Sequence, residues 1–189
     1  PVEAAVLPNV ALAEAGKMAV RRVGKMWYPD FHASRAFAMV DHEIAHVYLA
    51  DPADTPSIAE CLADLDGVAR TLTGETLAQA GLNHPNCGEI VLIADDGKWF
   101  AYPWWSDNRH APEYARHIDI HNKPGYDPCE LFFGWPPPSV SLNTQRIRGS
   151  HGRCDDGREI AWASNLDMDA DSLLDLARAT KSVLEKKVD

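Results

Sequence analysis

No apolar run in this chain of 189 residues approaches the ~20 needed to span a bilayer, and no signal peptide opens it. Cysteine is sparse. Cys61, Cys87, Cys129 and Cys154 form neither a CxxC pair nor a dense framework, so reduced thiols are the simplest expectation, although spacing alone leaves two disulfides open. Positive charge is also short: Lys and Arg total 18 against 28 Asp and Glu, a net charge of −10, which argues against nonspecific adhesion to nucleic-acid polymers or anionic membranes. These absences point to a cytoplasmic protein. What is present is a chain that is 46% hydrophobic, enough to bury a core in one domain or one and a half. It begins at Pro1 without Met, so we expect a processed chain or a piece of something longer.

The pattern along the chain predicts a mixed α/β protein. Asn9 to Val20 reads as a short helix with Asn9 as N-cap, and Val20 to Tyr28 as a strand pair turned at Gly24. Arg35 to Leu49 is rich in apolar and aromatic residues and ends strand-like. Thr55-Pro56 starts a helix carrying Ile58, Leu62 and Leu65, which Gly67 ends. Val68 to Leu72 fits a strand and Gly74 to Gly81 a short helix. Glu89 to Ala94 and Trp99 to Tyr102 suggest a hairpin across Asp95-Asp96-Gly97. These signals divide the chain into a lead-in (1–33), an α+β unit with the look of an inserted cap (34–102), a loop-rich stretch (103–150) and a closing strand and helix (151–189). In the last segment, Glu159 to Ala163 reads as a buried-type strand and Asp171 to Lys187 as an amphipathic helix.

Three motifs carry chemistry. His42-Glu43-Ile44-Ala45-His46 matches the HExxH pattern, in which two His on adjacent helical turns hold zinc and Glu acts as base. Its flanks favour extended structure, and Asp41 places a charge beside it, so a zinc-peptidase reading is disfavoured against polar residues on a strand or its turn. In His117-Ile118-Asp119-Ile120-His121, polar and apolar residues alternate, so an extended backbone puts His117, Asp119 and His121 on one face. A solvated strand face is the plainer account of that alternation. Lys123-Pro124-Gly125-Tyr126-Asp127-Pro128 then stiffens the exit and adds a cation and a carboxylate, as binding loops commonly do. Finally, His151 stands alone in Gly149-Ser150-His151-Gly152, a place where His is more often structural. Trp104 and Trp105 would either line a pocket or belong to the core.

The order of these segments resembles the C-terminal part of the type I phosphodiesterase/nucleotide pyrophosphatase family, a branch of the alkaline phosphatase superfamily. The resemblance rests on DHEIAHVYL, WFAYPWW, the IDIHNKPGYDPCELFF block and GSHG. It implies an α+β cap joined to part of a three-layer α/β core, and His151 as one ligand of a two-zinc centre. His117, Asp119, His121, Lys123, Tyr126, Asp127, Trp104 and Trp105 would line or orient that centre. The family's nucleophile, its first metal-binding Asp and its Asp-His pairs lie upstream of the matched region, and this chain has no DHG motif. A two-metal site needs about six or seven protein ligands and a nucleophile. The resemblance therefore implies a portion of a hydrolase of phosphoester or pyrophosphate bonds that is inert as an isolated chain and has no catalytic residue of its own. Its substrate would be a small phosphate ester, and the metal ions would supply the positive charge that the chain lacks. The alternative is a module that binds a small ligand or a metal without chemistry. Nothing in the sequence decides between a monomer and a homo-oligomer.

Overall fold

Ile90 to Ala94 is an unbroken apolar run of five residues, and the main sheet is arranged around it. In the computed structural model, which describes residues 1–117, 136, 141–154, 157, 159 and 161–185, it forms strand β7 (Ile90–Ala94), buried at every position. Among the described residues, the strands that open the chain are β1 (Ala4–Val6), β2 (Val20–Val23), β3 (Met26–Pro29), β4 (Ala36–Asp41) and β5 (Ile44–Leu49). Then come β6 (Val68–Thr73) before β7, and β8 (Lys98–Phe100) after it. The main sheet is antiparallel, in the order β4-β5-β7-β6. The mixed α/β class expected from sequence is thus present.

Helices cover both faces of this sheet. Leu12 of α1 (Pro8–Glu14) and Ile58 and Leu62 of α2 (Thr55–Ala63) are completely buried in one core with Ala38, Val40, Ala45, Val47, Ile90 and Leu92. Burying each such side chain contributes about 1.5–3 kcal/mol. On the opposite face, α3 (Gly74–Gln79) lays Leu77 against Leu72, Val91 and Ile93. Alternate residues of β7 therefore serve two cores, which is why its sequence shows no polar alternation.

The expected β7–β8 hairpin does not form a ladder. The turn is there, with Lys98 N donating to Asp95 O at 3.0 Å, but β5 and β6 already occupy both edges of β7. Strand β8 instead pairs in parallel with β1, Ala5 opposite Trp99. Strands β2 and β3 pair about Gly24 as expected. Arg35 to Leu49 proves to be a full hairpin, β4 and β5 joined by the two-residue turn His42-Glu43.

Asn9 is a second correction. It lies inside α1, which starts at Pro8, and makes no cap; the helix is also shorter than the sequence suggests. Its side chain is buried and behaves like a short length of strand. Nδ2 donates to Ala38 O at 2.8 Å, and Oδ1 accepts from Ala38 N at 2.9 Å. An amide can satisfy the free edge of β4 in this way because it carries the same donor and acceptor as a peptide group. Gly88 has an equally specific reason: a Cβ there would lie 2.6 Å from Val47 O and 2.7 Å from Val47 N.

The chain divides into two units, Pro1–Arg153 and Cys154–Asp189. The lead-in, the 34–102 segment and residues through Ala115 share one core: Leu12, Val47, Trp104 and Ala115 belong to the same cluster. In the second unit, Ala161 to Ser164 form no strand and Trp162 is exposed, contrary to the expectation for Glu159 to Ala163. Helix α4 (Leu173–Glu185) is present, but Leu173, Leu174 and Leu184 are 64%, 59% and 62% exposed, so the expected burial of its apolar side is not found among the described residues. Among the described residues no helix is long and apolar enough to cross a membrane.

Replacing Asn9 with Ala leaves the Ala38 peptide groups unsatisfied in the core, and should lower the unfolding free energy by about 2–4 kcal/mol in urea titrations. Gly88→Ala should destabilise as well, by displacing β7 from β5. A wild-type midpoint in either variant would contradict these assignments.

Candidate functional site

Two sequence motifs that lie far apart in the chain meet at the β4–β5 turn. The hairpin loop is only two residues long, and its first residue, His42, adopts φ 61. Tight hairpin loops require a left-handed φ at this kind of position because it matches the twist of the strands. Neighbouring backbone pins the turn: Phe100 N donates to His42 O at 2.6 Å and Ala94 N to Glu43 O at 3.0 Å. The turn then holds the GSHG segment, since Glu43 N donates to His151 O at 2.8 Å.

The side chains follow the backbone. The rings of His42 and His151 face each other with centroids 4.0 Å apart and planes at 31°. Asp41 Oδ1 lies 3.1 Å from His42 Nδ1. His151 is exposed to solvent, whereas His42 is only 29% exposed. Gly152 continues at φ 121, a region that L side chains rarely enter, which turns the chain beneath the Asp41–Glu43 backbone. Arg153 follows, within 3.6 Å of Asp96.

The same geometry takes the HExxH match apart. In a zincin both His and the Glu project from one helix. Here His42 and Glu43 form a turn, and His46 is in mid-strand opposite Met39 and Val91. Glu43 is 1% exposed, not facing an open site. His46 instead meets Cys87, Nδ1 to Sγ 3.2 Å. Burial holds the His46 pKa below the ordinary imidazole value, with Asp41 pulling the other way, and burial pushes the Cys87 thiol up. Both groups are therefore neutral at pH 7, a thiol–imidazole contact and not an ion pair.

The other candidates separate clearly. His117 ends a short 3-10 helix over Glu113–Arg116 and is exposed. Asp119, His121, Lys123, Tyr126 and Asp127 lie outside the described residues. Trp104 and Trp105 are buried in the main core, edge to face with centroids 5.0 Å apart, and their indole N–H groups donate to Trp27 O and Asn108 Oδ1. Their faces are packed by protein, so they do not line an open pocket. Sequence reasoning missed the contribution of Asp41 and His42 to the surroundings of His151. The available signal was an Asp-His pair in a loop too short for anything but a tight turn.

Imidazole nitrogen and carboxylate oxygen suit zinc and related ions. Among the described residues, no group of three or more His, Cys, Asp or Glu is arranged to hold a metal ion. The described site is thus a fragment of a ligand set at most. The chain matches no protein-family model, no curated protein and no solved structure.

The lowered His46 pKa fixes the sign of a pH effect. The folded state binds fewer protons than the unfolded one, so this contribution to stability is fully present above about pH 6.5 and is lost as pH falls through the folded-state value. Urea unfolding should show stability declining from pH 7.5 to pH 5, with a shallower decline in His46→Gln; parallel declines would refute the assignment. With a thiol reagent at pH 7.5, mass spectrometry should find the exposed Cys154 labelled before Cys87.

Proposed function

We propose that this chain is the cap-bearing C-terminal portion of a metal-dependent hydrolase of phosphoester or pyrophosphate bonds, and that His151 is one ligand of its two-zinc centre. The supporting observation is the way His151 is held. Its backbone is tied to the turn by Glu43 N–H and one ring face is backed by His42, yet the side chain remains exposed. A ligand needs this combination of a fixed main chain and an accessible nitrogen. Ser150 Oγ, next in the chain, is buried without a hydrogen-bond partner among the described residues, a sign that this loop is built around more than its own packing. The resemblance of GSHG, and of the block before it, to the phosphodiesterase/nucleotide pyrophosphatase family supports the same reading.

The donor chemistry fits zinc in kind but not in number, because His151 supplies one nitrogen and no cluster of three ligands stands beside it among the described residues. The remaining ligands and the Ser or Thr nucleophile belong to a preceding segment in this reading. When bound, the two ions would activate that nucleophile and neutralise charge on the phosphoryl oxygens. The task of this chain is to present His151 and to close one side of the site. The 34–102 segment acts as the cap, and the exposed leucines of α4 suit burial against the rest of an α/β core. The substrate class is a small phosphate ester handled in the cytoplasm, since a chain of net charge −10 is unsuited to a polyanion.

A module that binds a small ligand or a metal without chemistry is the competing account: Asp41, His42 and His151 lie side by side, although they form no group of three arranged to hold a metal ion among the described residues. The two differ in stoichiometry and turnover. The isolated chain should not hydrolyse bis(4-nitrophenyl) phosphate in the presence of zinc, and calorimetry should find no tight one-to-one zinc site. In a protein that also contains the preceding segment, His151→Ala should lower the zinc content and reduce turnover about 100-fold or more. Full zinc content with unchanged turnover in that variant would refute the hydrolase reading. A tight stoichiometric zinc site in the isolated chain would favour the module.

A further inference from the structure

His46, the second histidine of the HExxH match, has no part in the site at the hairpin turn, yet it belongs to a cluster of its own. It lies opposite Val91, on the face of β5 that looks toward α3, and its Nδ1 is 3.2 Å from Cys87 Sγ. Cys87 is half-buried against the smaller core of Leu72, Leu77, Val91 and Ile93. Beside it opens a cleft of about 380 Å³ whose walls include Leu77, Leu82, His84, Gly88 and Glu89. Sites that enclose a small ligand start at about 300 Å³.

The loop before β7 holds the thiol in place. Cys87 N donates to His84 O at 2.8 Å, and Asn86 N donates to His84 Nδ1 at 3.1 Å. From β5, Tyr48 Oη donates to Asn86 O at 2.8 Å and Leu49 N to Glu89 Oε2 at 3.0 Å. The strand that carries the imidazole thus also grips the loop that carries the thiol, on both sides of Cys87. Their contact is fixed by backbone and side chain together, as a reacting pair requires.

A neutral pair of this kind suits general-base activation. An imidazole already protonated cannot take the thiol proton, and burial keeps His46 unprotonated near pH 7. A thiol with a raised pKa holds little thiolate by itself, so its attack depends on the base beside it. The thiolate, once formed, is the stronger nucleophile for that raised pKa. The Gly88 N–H hydrogen-bonds toward the sulfur and eases the loss of its proton. The cleft adds selectivity: Leu77 and Leu82 offer apolar surface, and the Glu89 carboxylate disfavours an anionic chain.

We propose that Cys87 and His46 form a nucleophile and base pair that accepts a short, uncharged acyl group from an activated ester or thioester held in this cleft. A bond forms between Sγ and the carbonyl carbon, and the bond from that carbon to its leaving oxygen or sulfur breaks. The thiol proton passes to His46 Nδ1 and on to the departing atom. An alcohol or thiol leaves, Cys87 ends as a thioester, and nothing is oxidised or reduced. Neither residue belongs to the His151 site, so the inference stands apart from the hydrolase reading.

The test treats the full 189-residue chain with 4-nitrophenyl butyrate at pH 7.5 and follows each cysteine by mass spectrometry. Where an alkylating reagent should reach the exposed Cys154 first, the ester should reverse the order and acylate Cys87 before Cys61, Cys129 and Cys154, releasing one 4-nitrophenolate for each Cys87 labelled. Cys87→Ala should remove that release. His46→Gln should slow Cys87 acylation about 100-fold, and amide signals of residues 44–49 report whether its sheet survives. Leu82→Trp, which fills the cleft, should slow butyryl transfer about tenfold and acetyl transfer less. Acylation of Cys154 before Cys87 in the wild type, an unchanged rate in a folded His46→Gln, or equal butyryl rates in Leu82→Trp and wild type would each overturn the proposal. Should His46→Gln lose its sheet signals, the wild-type order and Leu82→Trp decide.

Discussion

Strand β7 has a neighbour on each edge and a layer of side chains on each face, and the candidate site depends on that saturation. Because β5 and β6 take its hydrogen bonds, the chain that leaves it at Ala94 cannot fold back as a partner and is sent on to β1. On this route Ala94 N and Phe100 N reach Glu43 O and His42 O, which fixes the hairpin turn. The turn in turn receives His151. A chain of main-chain hydrogen bonds thus links this buried strand to the exposed His151.

Sequence carried the local part of this well. The β2–β3 pair, α2, β6 and α3 were legible because each is specified by its own periodicity and by turn or stop residues at its ends, such as Gly24 and Gly67. Pairing was not legible. Glu89 to Ala94 and Trp99 to Tyr102 have the pattern and the turn of a hairpin, and only competition from β5 and β6 for the same edges decides otherwise. Asn9 shows the same limit: its preference for helix starts is real, but an amide is worth more when it satisfies Ala38 in the core than at a solvated cap.

At the site, the identity of His151 as a residue of interest came from the Gly-Ser-His-Gly spacing, whereas its surroundings did not. His42 was read as part of HExxH, a pattern defined by helical spacing, and the two-residue turn gives it a neighbour that no local pattern encodes. Trp104 and Trp105 illustrate the converse. Aromatic pairs look like ligand platforms in sequence, but an indole whose N–H finds a protein acceptor and whose faces meet aliphatic and aromatic neighbours is simply core.

The parallel pairing of β1 with β8 also bears on the order in which the protein is assembled. A two-residue loop closes β4 on β5, but Ala4 must find Lys98 across nearly half the chain, and closing a loop costs entropy that grows as about (3/2)RT ln n. Phe100, which closes β8, also holds the His42 carbonyl, and Val2 N donates to Arg148 O, three residues before His151. The hairpin can thus form early as an unanchored ribbon, whereas the contacts that give its tip a fixed environment wait for the longest loops to close. The proximity of the two histidines thus accompanies the long-range closures of the first unit and not the hairpin alone.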